Sequence, residues 1–408
     1  MKKNRWLYVV ACVIVLLFAG LVYAWSVLSM PIAQAFPQYT NAQFSVTFTL
    51  TMSFFCLGVL SGGILLGKTK ARNIIWLSAA LFFIGFMLVS VMNSLPLLYL
   101  GFGILGGFAS GLSYNAVMGT IMKWFPDRQG QVSGILLMGF GIGAFIIGKV
   151  YTATLPAGPD GWRTSFRIFA IILLVVLAVG ALFCVKPEPE DVAEYQAIAA
   201  RNNAGKSGKA GGADFSTAEM LRQPAFWFYF IWTILLSMAG LAFNSQSRGI
   251  IQEIAPGTAA GTIATVAGLF SIFNGIGRLG FGSTFDKFGF KKNMLLVCAA
   301  YVLATVVTIL SMMTKSFPIL VLAFVLMGCA YGGVTPTNSA IISSFFGLRH
   351  YALNFSMINL TLIISSFGGT IAGMIYDKSQ TYFSVFLIII AAAVLAAVVT
   401  MLMRKPEK

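Results

Sequence analysis

The stretch Phe270-Ser271-Ile-Phe-Asn274-Gly-Ile-Gly-Arg278-Leu-Gly-Phe-Gly282-Ser-Thr-Phe-Asp286-Lys287-Phe-Gly289 holds one arginine, Arg278, inside a run that is otherwise uncharged from Ile254 to Phe285. A run of this length and apolarity is long enough to cross a bilayer as a helix. A guanidinium at the centre of such a helix costs about 2.5–3.5 kcal/mol even on the most lenient insertion scale, so it is kept only when paired or used. The nearest carboxylates in sequence, Glu253 and Asp286, lie near opposite ends of the run. The expected partner of Arg278 therefore comes from outside the helix, and its chemistry is that of an anion.

The rest of the chain shares this solvent. Of 408 residues 58% are hydrophobic and 10% charged, and residues 6–67 and 73–122 contain no Lys, Arg, Asp or Glu. Breaks at charges, Pro, Gly and polar clusters divide it into twelve crossings near 6–29, 43–66, 74–94, 97–122, 131–153, 165–185, 225–247, 259–283, 293–313, 317–342, 353–375 and 380–403. The expected fold is an all-α polytopic membrane protein of twelve transmembrane helices in two pseudo-symmetric six-helix bundles. The first apolar run is too long for a signal-peptide core and is read as a retained helix.

A net charge of +15 would suggest nucleic acid in a soluble protein, but here its positions carry topology. With the N-terminus inside, 20 of the 27 Lys and Arg fall on the cytoplasmic side. That bias predicts an integral protein of the cytoplasmic (inner) membrane with both termini cytoplasmic. The one long polar segment, rich in Gly, Lys and Asn, reads as a flexible linker. It gives a domain reading of an N-terminal six-helix half at 1–186, a cytoplasmic linker at 187–222 and a C-terminal half at 223–408. Ser216-Thr-Ala-Glu219 offers a capping box at the linker's end. The five cysteines have no paired spacing, and neither a disulfide framework nor a metal site is indicated.

The halves repeat. Gly107, Ala109, Gly111, Phe125 and Arg128 recur 221 residues later as Gly328, Ala330, Gly332, Phe346 and Arg349. Gly282 to Asn293 aligns with Gly62 to Asn73 at an offset of 220, with Leu66 in the first copy where the second has Asp286. Two six-helix repeats joined by a linker are the arrangement in which a central site alternates between the two membrane faces.

Gly282-x-x-x-Asp286-Lys-x-Gly289-x-Lys-Lys resembles the loop signature of the major facilitator superfamily. Asn4-Arg5-Trp6, Tyr23-Ala-Trp25-Ser26, Lys123-Trp-Phe-Pro-Asp127-Arg128, Gly161-Trp-Arg163, the Glu219 to Trp227 entry to the seventh span and Asn274-x-x-x-Arg278 are similar, in that order, to the oxalate/formate antiporter (monocarboxylate-transporter-like) family. The resemblance implies that Arg278 binds substrate carboxylate and that Tyr23, Tyr114 and Tyr331 wall the site. Oxalate carriers of that family add a Lys on the eleventh helix. Here that region reads Asn354-Phe-Ser-Met-Ile358-Asn359-Leu-Thr361, without Lys. Ser339 and Ser344 also stand where relatives usually place a Pro and an acid.

The residues themselves give a parallel reading. Ser271, Asn274 and Arg278 share one helical face, and a guanidinium grips a carboxylate through two parallel bonds. The alternative is that Arg278 bonds helix carbonyls or anchors a loop through Asp286. Asn354, Asn359, Thr361 and Ser365 give the eleventh helix polar positions, for the cavity or for helix packing. Lys149 is a second cation that either contacts substrate or snorkels to headgroups, while Arg248 and Glu253 read as a solvated pair. Asp127, Arg128, Asp286 and Lys287 sit at helix ends as gating candidates. The three tyrosines read equally as packing.

The sequence thus predicts a secondary transporter moving a small organic anion, most readily a monocarboxylate such as formate, lactate or pyruvate, by alternating access and anion exchange. The expected partners are that carboxylate and the lipid bilayer, with no nucleic acid and no cofactor, acting as a monomer. Acidic residues and the single His lie at loops or helix ends, which favours exchange over proton coupling. No nucleophile and base pair, metal cluster or P-loop supports an enzyme. An exporter of a drug or neutral solute, a proton/monocarboxylate symporter and a sensor that binds without transport remain the alternatives.

Overall fold

A computed structural model of the chain describes residues 5–39, 41–154, 156, 158, 160–195 and 214–407. It is all-helical, with no strand among the described residues and twelve helices long and apolar enough to cross a membrane. They are α1 (Arg5–Ala24), α2 (Val46–Leu66), α3 (Ala71–Ser90), α4 (Leu95–Trp124), α5 (Gln129–Tyr151) and α6 (Gly161–Phe183), followed by α7 (Pro224–Ser245), α8 (Gly261–Phe288), α9 (Phe290–Thr314), α10 (Phe317–Phe346), α11 (Tyr351–Ser379) and α12 (Phe383–Leu402). Prolines in the first turn start α4, α7 and α10, where the missing N–H is not needed. Gly289 and Gly347, at φ of 79° and 81°, stop α8 and α10 in backbone that disfavours other residues.

The helix α8 runs five residues beyond the sequence-read span, so Asp286 and Lys287 lie in its last turn. Before α7, the Ser216 to Glu219 capping box forms as read. Residues 196–213 of the linker lie outside the described residues.

Contacts divide the chain into two compact units. Unit 1 comprises Met1–Pro126, Gly139–Ile198 and Tyr351–Asn359, and unit 2 comprises Asp127–Met138, Ala199–His350 and Leu360–Lys408. Thus the opening of α5 groups with the second set of helices and the opening of α11 with the first. Inside each unit the repeat glycines serve one purpose. A Cβ on Gly107 or Gly111 would come within 2.4 Å of the Thr51 carbonyl oxygen or 2.1 Å of that of Phe55, so α4 lies directly on α2. In unit 2, Gly328 and Gly332 stand 2.5 and 2.3 Å by the same measure from the carbonyls of Phe270 and Asn274, so α10 lies on α8 in the same way. Small residues allow this approach, which dispersion and not hydrophobicity rewards inside a membrane.

Four helices lose regularity near residues of interest. The α1 backbone tightens into a 3₁₀ turn over Gly20–Ala24, carrying Tyr23, and α4 contains a π turn over Tyr99–Gly106. The α10 helix breaks at Gly333, two residues past Tyr331, and α11 breaks at Leu360, between Asn359 and Thr361. Irregular backbone at membrane depth survives where protein or a water-lined cavity satisfies it.

Candidate functional site

The backbone of α8 at Arg278 is held on two sides by glycine. A Cβ on Gly332 of α10 would lie 2.9 Å from the Arg278 nitrogen, and one on Gly134 of α5 would lie 2.5 Å from its carbonyl oxygen. One turn on, Gly282 and Gly130 face each other closely enough that a Cβ on either would meet the other's carbonyl at 2.2 Å. Arg278 is 8% exposed. Its Nε donates to Asn274 Oδ1 at 3.1 Å and its Nη1 to the Leu137 carbonyl at 2.6 Å. No carboxylate pairs with it among the described residues. Tyr331 stacks on Phe270 at 5.8 Å and 26°. Within unit 2 Asn274 bonds Arg278, and Tyr331 stands next to Gly332, whose backbone lies on both. The structure adds Phe270 and the Leu137 carbonyl. Phe270 was legible as the residue one turn before Asn274, whereas a backbone carbonyl leaves no sequence signal.

This geometry fixes what the guanidinium can do. With Nε committed to Asn274, the edge pairing Nε with Nη2 is closed to a ligand, and the end left is that formed by Nη1 and Nη2, whose Nη1 is held by the Leu137 carbonyl. A carboxylate fits that end through two parallel bonds.

Asp286 takes an unexpected partner. Its Oδ1 and Oδ2 accept from the backbone N–H groups of Gly130 and Gln131 at 2.8 and 2.7 Å, placing the carboxylate on the N-terminus of α5. That position lets an anion satisfy orphan donors and the helix dipole together. Arg128 lies 3.7 Å from Asp127, its neighbour in sequence, and Lys287 is exposed beside the Phe288 ring.

In unit 1, Tyr23 and Tyr114 belong to one aromatic cluster. Tyr23 meets Phe140 edge-on at 5.5 Å, and Tyr114 packs against Phe140 at 5.1 Å, Phe55 at 5.3 Å and Phe355 at 5.7 Å. The three phenylalanines were missed; only the glycine contacts in the structure, Gly111 on the Phe55 carbonyl and Gly332 on that of Asn274, make Phe55 the counterpart of Asn274. Asn359 is buried and turns its Nδ2 back to the Phe355 carbonyl at 2.7 Å, while its own carbonyl accepts from the Cys56 thiol at 3.6 Å. Thr361, also buried, opens the next helical segment in unit 2.

Lys149 lies on an exposed apolar face with Phe145, Ile146 and Val150, its ammonium 5.9 Å from the Phe145 ring. That is a snorkelling position. The pairing of Arg248 with Glu253 does not form. Glu253 instead accepts from Thr381 Oγ1 at 2.6 Å and the Tyr382 N–H at 2.9 Å, capping α12. Of the short motifs, Gly161-Trp-Arg163 is structural, since Arg163 Nη1 donates to the Ser90 and Met92 carbonyls at the end of α3. Arg5 lies between the Phe125 and Tyr195 rings at 4.4 and 4.6 Å, against the Lys123-Trp-Phe-Pro turn. All five cysteines are free, and no metal-binding group occurs among the described residues.

Comparison with known proteins agrees with this architecture. Residues 10–360 and 250–408 match the profile of the Major Facilitator Superfamily. The chain is 27% identical over 354 residues to the oxalate:formate antiporter of Oxalobacter formigenes, covering 85% of this chain and 80% of that one. It is 28% identical over 169 residues to monocarboxylate transporter 1 of Homo sapiens, covering 38% of this chain and 32% of that one. Among solved structures, a proton:xylose symporter superimposes with a TM-score of 0.71 at 14% identity, over 99% of this chain and 98% of that one.

Proposed function

This chain belongs to the Major Facilitator Superfamily and is a membrane transporter, not an enzyme, and from that premise we propose that it carries small monocarboxylates such as formate, lactate or pyruvate by anion exchange. The observation behind the proposal is the buried Arg278 guanidinium, which has no carboxylate partner among the described residues. A substrate carboxylate supplies the missing charge at the Nη1 and Nη2 end, with Asn274 orienting the fork. Phe270 and Tyr331 give an apolar surface beside it for a short substrate tail. The relatives named above as an oxalate:formate antiporter and a monocarboxylate transporter favour the same class of cargo.

The preference for one carboxylate over two follows from charge. Ile358 and Asn359 stand in the part of α11 where the resemblance leads one to expect a Lys in an oxalate carrier, so a dicarboxylate brings a second anion without a second cation. Leaving that charge unpaired in a dry site costs several kcal/mol. Exchange is favoured because no Asp, Glu or His lies in the interior of a described span to carry a coupled proton. On this reading the protein works as a monomer in the inner membrane with both termini cytoplasmic.

The test is exchange of labelled lactate, formate, pyruvate and oxalate by purified protein in liposomes. The expected flux needs substrate on the far side, survives a protonophore and is weakest with oxalate. Uptake into empty liposomes driven only by an inward proton gradient would sink the exchange reading. A second reading, carriage of a neutral solute with Arg278 structural, is favoured by the Leu137 carbonyl bond. Under it, Arg278→Gln keeps the native flux.

A further inference from the structure

Arg278 and Asp286 hold the two ends of one short piece of chain. Residues 127–138, the turn before α5 and its opening turns, group with unit 2. Asp286 binds that piece at the Gly130 and Gln131 N–H groups, and Arg278 binds it at the Leu137 carbonyl. Between these points the Gly130 and Gly134 backbones lie against Gly282 and Arg278. From Gly139 onward α5 groups with unit 1, where Gly139 and Gly143 pack against Val13 and Leu17 of α1. Helix α5 thus changes allegiance one residue past the carbonyl that Arg278 holds, in a stretch with glycine at 139, 141 and 143. Glycine lowers the resistance of a helix to bending there.

We propose that Arg278 is a ligand-operated clasp on α5: the substrate carboxylate takes the guanidinium from the Leu137 carbonyl and so frees the end of the 127–138 segment. The inference rests on the carboxylate reading of Arg278. A carboxylate offers the guanidinium an opposite charge and a second parallel bond, neither of which the neutral Leu137 carbonyl supplies, so the ligand outcompetes the carbonyl for Nη1. Release is reversible because a helix carbonyl has its own N–H partner one turn on and is not orphaned when the arginine leaves. The Asp286 bonds at the opposite end stay in place, so the segment loosens at Leu137 and Met138, not at Gly130. Occupancy is thereby coupled to the freedom of the helix without any titrating group.

The test is hydrogen exchange on the full-length protein in lipid nanodiscs, following peptides within 129–143, with and without saturating sodium lactate. Lactate binding is measured separately by calorimetry. Exchange just beyond Leu137 is expected to rise on the order of tenfold with lactate, as for loss of one hydrogen bond from a charged donor, while Gly130 and Gln131 stay protected. Arg278→Gln is expected to exchange fast in this region without lactate and to respond to none. Arg278→Lys, which keeps the charge, serves if the Gln variant is poorly folded and should fall between. Lactate binding with unchanged or slowed exchange would overturn the clasp and leave the carboxylate reading standing. Failure of wild type to bind lactate or any other monocarboxylate, with Arg278→Gln still fast, would overturn ligand release because the carboxylate reading itself had failed. Wild-type exchange in Arg278→Gln would remove the clasp whatever binds.

Discussion

Val59 and Arg278 meet the repeat glycines Gly111 and Gly332 in the same way. A Cβ on Gly111 would lie 2.7 Å from the Val59 nitrogen, and one on Gly332 would lie 2.9 Å from the Arg278 nitrogen. One turn earlier each glycine faces the carbonyl of Phe55 or Asn274. The backbone contact is common to both copies and the chemistry is confined to one, with Phe and Val in the first and Asn and Arg in the second.

Because the glycine contact needs only backbone at this position, replacing Arg278 should spare the fold. Arg278→Val, the residue at the Gly111 contact, and Arg278→Gln are expected to reach the membrane and lose lactate exchange. Arg278→Lys should retain a residue of it, since a point charge cannot reproduce the two-bond fork. Counterflow in liposomes measures this, and normal affinity in Arg278→Gln would refute the assignment.

Gly134→Leu should destabilise unit 2. Its Cβ would meet the Arg278 carbonyl oxygen at 2.5 Å, a backbone atom that cannot rotate away. Overpacking of this kind costs about 1–3 kcal/mol, and the readout is a lower midpoint of thermal unfolding in detergent. Gly257→Ala is the control for packing. Nothing lies within 4 Å of that Cβ, so any effect reports its φ of 82° alone.

Asp286→Asn removes charge from the α5 N-terminus while keeping an acceptor. The expected loss is about 0.5–1 kcal/mol, in the range of a helix-dipole interaction, and it should shrink in high salt. Thermal unfolding at low and high ionic strength checks it. A loss independent of salt would mean that geometry, not charge, is what the carboxylate contributes.

Installing a second cation should move specificity. Asn359→Lys places an ammonium at the α11 break and is expected to raise oxalate exchange relative to lactate, read from competition in liposomes. Unchanged preference would show that the charge count does not set selectivity.

A tag inserted between Asn202 and Gly212, and one after Arg404, should both be reached only from the cytoplasmic side. Labelling of either in intact cells would reverse the topology.

The fold was legible because uncharged runs of bilayer length leave a chain few choices, and the repeat was legible because backbone contact between helices tolerates only glycine at positions such as 111 and 332. Arg278 stood out for the same reason, as a charge where charge is expensive. What stayed hidden depends on backbone atoms or on aromatic residues in a sequence full of them. The Leu137 carbonyl has no letter of its own, and Phe140 is one of 36 phenylalanines. The partners of Asp286 and Glu253 were missed because each caps a helix remote in sequence, Glu253 standing 129 residues from Tyr382.

If the carrier exchanges monocarboxylates as proposed, the Arg278 guanidinium also sets the electrical character of transport. Loaded with a monocarboxylate the site is neutral, and the membrane voltage has no hold on it. Empty, it carries one positive charge, and crossing a 100 mV potential with it is worth about 2.3 kcal/mol. Voltage therefore acts on the return of the unloaded carrier and leaves one-for-one exchange untouched, so a cell that runs this protein as an exchanger moves anions without spending its membrane potential.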